Sequence, residues 1–141
     1  MNGDLILTCD AGTSSIKCSV FSAKGEAVCT ASESYETYFP HPGWAQQNTE
    51  QVARALFSCV KTLLEQVDAA RIAVVGLSGT MNGCIPVDEN GRALHPNIIH
   101  SDSRTGTQVE EIGRVINKYH FYTLTGNRLD THYTLPKILW F

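Results

Sequence analysis

No apolar run in the sequence approaches the roughly 18–20 residues that a membrane-spanning helix needs, so no transmembrane segment is expected. The longest run, Ile72 to Leu77, is predicted to be a buried strand. Met1-Asn2-Gly3-Asp4 lacks the basic start and apolar stretch of a secretion signal, and a cytoplasmic protein is expected. A basic excess is also missing, with 11 Lys and Arg against 14 Asp and Glu for a formal charge of −3. Nucleic acid and anionic membrane both select a basic face, so neither is an expected partner. There is no CxxC or HxxH pair, and five widely spaced cysteines (Cys9, Cys18, Cys29, Cys59 and Cys84) cannot all form disulfides. They read as small buried hydrophobes kept reduced. A P-loop and an H-E-x-x-H pattern are absent, and sequence order alone assembles no Ser-His-Asp or Cys-His set.

What is present is a globular composition, 43% hydrophobic and 18% charged, which excludes a disordered chain. At 141 residues one domain is favoured, with a real core available to it. Leu5-Ile6-Leu7-Thr8-Cys9 reads as a strand covered on both faces, and Ile16 to Phe21 as a second with Ile16, Cys18 and Val20 on one face. A turn at Ser22–Glu26 leads to a third strand over Ala27 to Tyr35, and the three are expected to pair antiparallel. Phe39-Pro40-His41-Pro42-Gly43-Trp44 breaks regular structure. Asn48 then caps a helix to Val67, with Gln51 reaching back as in a capping box. Its apolar stripe is Val52, Ala55, Leu56, Cys59, Val60, Leu63, Leu64 and Val67. Further strands are expected at Ile72–Leu77 and Cys84–Val87, a helix from about Thr107 to Asn117, and a helical stretch from Leu135 to Phe141. This order indicates a mixed α/β sheet domain.

Four segments have the residue types for chemistry. In Asp10-Ala11-Gly12-Thr13-Ser14-Ser15-Ile16-Lys17, small residues between strands allow phosphate oxygens to approach the backbone, Lys17 adds positive charge, and Asp10 can hold a hydrated Mg²⁺. An ordinary Asp-Gly turn with hydroxyl caps is the alternative. Leu77-Ser78-Gly79-Thr80-Met81-Asn82-Gly83 ends a strand, where ligands gather in α/β sheets. There Asn82 suits a polyol, unless the segment is only a tight turn over a buried Met81. In His100-Ser101-Asp102-Ser103-Arg104, Asp102 either accepts sugar hydroxyls or pairs with Arg104 and caps the next helix. Thr125-Gly126-Asn127 and Asp130 to Lys137 place His132 or Tyr133 beside a site, or simply pack as a loop.

Taken in order, these segments resemble the N-terminal part of the FGGY carbohydrate kinases. DAGTSSIK resembles the family's first phosphate motif, and His41 to Asn48 its P-G-W-x-E-Q-[DN] segment with Gln46 in the acidic place. Gly76 to Gly83 is similar to G-I-S-G-Q-M-H-G, and Pro96 to Thr105 to P-x-I-x-W-x-D-x-R-[TC] with His100 for the tryptophan. Thr125-Gly126-Asn127 and Pro136-Lys137-Ile138-Leu139-Trp140 match T-G-N and P-K-[IL]-L-W.

The resemblance implies a ribonuclease H-like, actin-like ATPase fold and ATP-dependent phosphorylation of a sugar or polyol, with a pentulose favoured over glycerol. It implies ATP and Mg²⁺ as cofactors. Asp10 would organise the metal, and Gly12, Thr13, Ser14, Ser15 and Lys17 would hold the nucleotide phosphates. Met81, Asn82, Asp102 and His132 would line the sugar pocket. Residues 1–141 would be the N-terminal part of domain I, with the catalytic base, the rest of domain I and the second lobe beyond Phe141. The chain alone is then expected to be inactive, and to self-associate or be marginally stable, with Leu135, Ile138, Leu139 and Trp140 open to water. A homo-oligomer fits this expectation. A non-catalytic binding or assembly module derived from a kinase N-terminus is the alternative.

Overall fold

Side-chain parity organises the first strand. Leu5, Leu7 and Cys9 are 2, 7 and 4% exposed on one side, and Ile6, Thr8 and Asp10 lie on the other. The computed structural model describes residues 3–141. Its elements begin with β1 (Leu5–Ala11), β2 (Ser15–Ser22), β3 (Ala27–Ser34), β4 (Thr37–Tyr38), β5 (Gln46–Gln47) and α1 (Thr49–Leu64). They continue with a short 3₁₀ turn, β6 (Ile72–Gly79), β7 (Asn97–Ile98), α2 (Gly106–Val115), α3 (Lys118–Thr125) and α4 (Thr134–Trp140). Two units result, one running to Glu36 and resuming over Asn48–Thr80, the other made of Thr37–Gln47 and Met81–Phe141.

In the first unit the sheet order is β3-β2-β1-β6. As expected, the first three strands pair antiparallel, and β6 extends the sheet, running parallel to β1. A parallel neighbour needs a long crossover, and α1 lies within it. One helix face packs on β2 and β3, burying Ala55, Cys59 and Leu63 against Leu5, Leu7, Cys9, Ile16, Cys18 and Val20. The Asn48 side chain accepts from the Glu50 and Gln51 amides, as its N-cap role requires. The reciprocal half of the capping box does not form: Gln51 Oε1 is buried without a hydrogen-bond partner.

Two expectations in this unit are corrected. The helix ends at Leu64, which is 41% exposed, so the inward stripe stops at Leu63. Val67 still packs on the core from beyond the helix. The apolar strand β6 is not buried: Val74 and Val75 are each 56% exposed and Leu77 is 75% exposed. It is an edge strand, and α1 leans on β2 and β3 at the other side of the sheet, so nothing described in this unit covers its face. Cys9, Cys18 and Cys59 are buried, Cys29 and Cys84 half-buried, and all five are free thiols.

The second unit has a small antiparallel sheet ordered β4-β5-β7. The strand expected over Cys84–Val87 reduces to isolated bridges, Cys84 to Ile98 and Val87 to Ala93. Pro86 sits between them and has no N–H for a ladder. The helix expected to reach Asn117 stops at Val115. Its apolar residues Val109, Ile112 and Ile116 are only half-buried. Asn117 then caps a separate helix, α3, by accepting from the His120 amide. Gly126, at φ 70°, ends α3 in the left-handed conformation that a side chain disfavours. Helix α4 falls where expected, with Leu135, Ile138 and Leu139 42, 56 and 52% exposed. Trp140 departs from that expectation, because its ring packs edge-on to Trp44, His95 and Phe141. No helix among the described residues is long and apolar enough to cross a membrane.

The contrast at the end of α1 gives a test. Leu63→Ala, at a position 0% exposed, is expected to cost about 2–5 kcal/mol in urea unfolding. Leu64→Ala should stay within about 0.5 kcal/mol. Equal losses would show that the stripe runs through both.

Candidate functional site

The first unit presents a short hairpin turn. Strand β1 runs through Ala11 and β2 begins at Ser15, so the turn itself is Gly12-Thr13-Ser14 and Asp10 stands on the strand. Register fixes its neighbours: Asp10 lies opposite Lys17 on β2 and beside Ser78 on β6. All three are exposed, on the face away from α1. The Asp10 carboxylate accepts no hydrogen bond from the described residues, and no group of three metal-ligating side chains occurs among them. One free carboxylate suits Mg²⁺, which keeps several waters and takes its other ligands from phosphates.

The turn is braced from behind. The Gly12 amide donates to the Ser15 carbonyl at 2.9 Å, and a Cβ on Gly12 would sit 3.2 Å from that oxygen. The Tyr35 hydroxyl donates to the Gly12 carbonyl, while the Tyr35 amide donates to the Ser14 carbonyl at 3.1 Å. Burial, with the nearby Asp10 charge second, pushes the Tyr35 hydroxyl pKa up, keeping it a donor. Thr80 closes the other side through its amide and hydroxyl, both donating to the Ala11 carbonyl at 2.9 and 3.2 Å. Thr13 and Ser14 are exposed and Ser15 half-buried.

The second unit is organised around a buried ion pair. Asp102 and Arg104 side chains are both 0% exposed and meet at 2.8 Å. Asp102 Oδ1 accepts from the Arg104 amide and Nε at 2.9 and 3.0 Å. Its Oδ2 accepts from the Ala45 amide at 2.5 Å and from Arg104 Nε and Nη2. A carboxylate has about four lone-pair sites, and these bonds occupy them. Asp102, expected to line the sugar pocket, therefore has no free oxygen for a sugar hydroxyl in this structure. It does not cap α2 either, whose N-cap is Thr105.

Arg104 lies over the Trp44 ring at 3.7 Å and the Trp140 ring at 5.0 Å. Its Nη2 donates to Gln46 Oε1 at 3.0 Å. A neutral amide oxygen at Gln46 suffices there because Asp102 already supplies the charge. Gly43 holds the same loop against Ser103, whose amide and hydroxyl donate to the Gly43 carbonyl at 2.8 and 3.0 Å. Its φ is 79°, a conformation strained for any side chain, and a Cβ would also press on Ser103 Oγ at 2.6 Å, so glycine is favoured there.

Of the other expected pocket residues, Met81 is 76% exposed, not buried beneath a turn. Asn82 is half-buried and is the one non-glycine residue with positive φ among those described, at 62°. His132 is exposed, and its Nδ1 lies 2.5 Å from Asp130 Oδ1, which also accepts from the His132 amide at 3.2 Å. The imidazole beside Asp130 holds its carboxyl below the usual carboxylate range. The Asn82 and His132 segments are joined by a residue that sequence reasoning gave no role: Lys137 Nζ donates to both main-chain carbonyls, at 2.7 and 2.9 Å. Tyr35 was missed likewise. The only signal for Lys137 was its place in the P-K-I-L-W segment, and Tyr35 had none.

Comparison with known proteins agrees with these segments. Residues 5–141 match the family model described as the FGGY family of carbohydrate kinases, N-terminal domain. The chain is 30% identical over 135 residues to a xylulose kinase of Staphylococcus xylosus, covering 96% of this chain and 28% of that protein. It is 28% identical over 138 residues to a glycerol kinase of Trichodesmium erythraeum, covering 96% and 27% respectively. The crystal structure of xylulose kinase from Rhodospirillum rubrum matches with a TM-score of 0.91 at 25% identity, over 96% of this chain and 28% of that one. The mixed sheet with helix α1 packed on it is thus part of an actin-like ATPase fold. The chain spans 28% or less of the length of these relatives.

The buried pair predicts its own cost. Asp102→Asn leaves the Arg104 charge buried, and breaking such a pair typically costs about 3–5 kcal/mol. Urea unfolding followed by tryptophan fluorescence, which reports on Trp44 and Trp140, should show that loss. An unchanged midpoint would mean that the pair does not hold the unit together.

Proposed function

The chain belongs to the FGGY family of carbohydrate kinases, and on that premise we propose that it supplies the nucleotide-phosphate turn and part of the sugar pocket of an ATP-dependent sugar kinase. The observation that carries this reading is the exposed Asp10, held by strand register between Lys17 and Ser78 at a hairpin of small residues. An ordinary turn does not need a free carboxylate and an ammonium on one face at its mouth.

In phosphoryl transfer a protein works mainly by positioning and by stabilising charge. Lys17 offers a positive charge to phosphate oxygens, and the Gly12, Thr13, Ser14 and Ser15 segment lets them come close to main chain. Asp10 fits as the protein's contribution to a hydrated Mg²⁺, which when bound to ATP neutralises charge on the phosphates. Tyr35 and Thr80 keep the turn fixed while charge moves. Met81, Asn82 and His132 form our proposed sugar-facing set. Asp102, with its oxygens engaged, has the supporting part of fixing Arg104 and the Trp44–Gln46 segment.

We assign the substrate to the pentuloses and related sugars on the strength of the Met81-Asn82 pair, which offers one apolar surface and one donor–acceptor amide. The general base that takes the proton from the sugar hydroxyl, the rest of domain I and the second lobe are assigned to residues outside these 141. A place in the cytoplasm, where ATP and sugar meet, and homo-oligomeric assembly belong to the same proposal.

Asp10→Asn tests the phosphate half in the complete kinase. It is expected to abolish Mg-ATP-dependent ADP release with D-xylulose while leaving the melting temperature unchanged, because an amide cannot supply the charge that the metal requires. Near-normal kcat at saturating magnesium would reduce Asp10 to a turn residue.

A further inference from the structure

Lysine is almost never fully buried unless it is paired, yet Lys137 on α4 is 0% exposed. No carboxylate among the described residues lies within ion-pair distance of it. Its ammonium instead donates to the main-chain carbonyls of Asn82, at 2.7 Å, and His132, at 2.9 Å. Burial pushes its pKa down, and the Asp102 charge opposes this less strongly. An apolar residue of similar volume would fill the same space without that desolvation. What it would not do is hold two carbonyls from chain segments fifty residues apart.

Both segments need an external holder. Asn82 sits in the left-handed region at φ 62°, a conformation that costs energy for a residue with a side chain. The His132 loop has its own brace in Asp130, but that brace is local, two residues away. Between the segments a further tie runs from Thr134 Oγ1 to the Gly83 carbonyl at 3.5 Å, the outer limit of a hydrogen bond.

We propose that Lys137 is a positioning residue of the sugar pocket, its ammonium fixing the spacing of Asn82 and His132 by holding the carbonyl of each. This rests on the reading that those two side chains face the sugar. Lys137 itself does not touch substrate. Its removal loosens the pocket, and displacements of about an ångström in a positioned site can cost up to about a hundredfold.

The test uses the full chain with the variants Lys137→Met, Asn82→Ala and His132→Ala. Each is titrated with D-xylulose and, separately, with Mg-ADP, and its amide spectrum is recorded without ligand. Lys137→Met is expected to raise the Kd for D-xylulose about tenfold to a hundredfold and to shift the Asn82, Gly83 and His132 amides. The Kd for Mg-ADP should stay the same, which a general loss of structure would not allow. Unchanged sugar affinity in Lys137→Met, with weakened binding in Asn82→Ala or His132→Ala, overturns the positioning role and leaves the pocket reading standing. Wild-type affinity in both alanine variants sinks the pocket reading itself. If D-xylulose does not bind the unmodified chain, the amides decide: Asn82 and His132 resonances unmoved by Lys137→Met overturn the clamp. Lys137→Leu, which likewise removes every donor, replaces Lys137→Met if that variant does not fold, and is read by the same criteria.

Discussion

The register of β1 is the constraint from which the first unit follows. The strand is hydrogen-bonded on both sides, antiparallel to β2 and parallel to β6, and its side chains alternate with period two. Packing Leu5, Leu7 and Cys9 under α1 leaves Asp10 no choice but the opposite face. A slip of one residue would bury that carboxylate and expose the core set. Burial of greasy residues thus places the charged one, beside Lys17 and Ser78, at the end of the strand where the chain turns. The polar site is a by-product of apolar parity.

The second unit has a different organising device. Its sheet is only three two-residue strands, too little backbone pairing to fix the loops around it. The buried Asp102–Arg104 pair does that work, drawing in the Ala45 amide, Gln46 and the faces of two tryptophans. Charges so placed are expensive unless every donor and acceptor is met. Asp102 meets that condition. Arg104 nearly does, with Nη1 alone left without a partner. Removing either partner would therefore be felt along the whole network.

Elements with one strong local signal were legible in the sequence. The α1 stripe, the Asn48 cap and the alternation of Ile16, Cys18 and Val20 each reflect period and burial, and each appears in the fold. The burial of β6 was not legible, because a run such as Ile72–Leu77 reports what a strand can be packed against and says nothing of whether this unit packs it. Helix α3 hid behind aromatic and β-branched residues with no clear stripe, its start marked only by Asn117. At the candidate site the residue types in DAGTSSIK were readable, while Tyr35 and Lys137 were not. Both act by hydrogen bonds to main-chain carbonyls far away in sequence, and such bonds leave no pattern in composition or spacing. The resemblance put Asp102 in the sugar pocket for the opposite reason: a carboxylate looks available until its five hydrogen bonds are seen.

The central claim is that the Asp10–Lys17 hairpin receives the nucleotide phosphates. Titrating the ¹⁵N-labelled chain with Mg-ADP tests it most directly. The account predicts saturable amide shifts concentrated at Gly12, Thr13, Ser14, Ser15 and Lys17, lost when Mg²⁺ is chelated. Saturable binding that moves other residues and leaves those five still, or no binding at all, would contradict it.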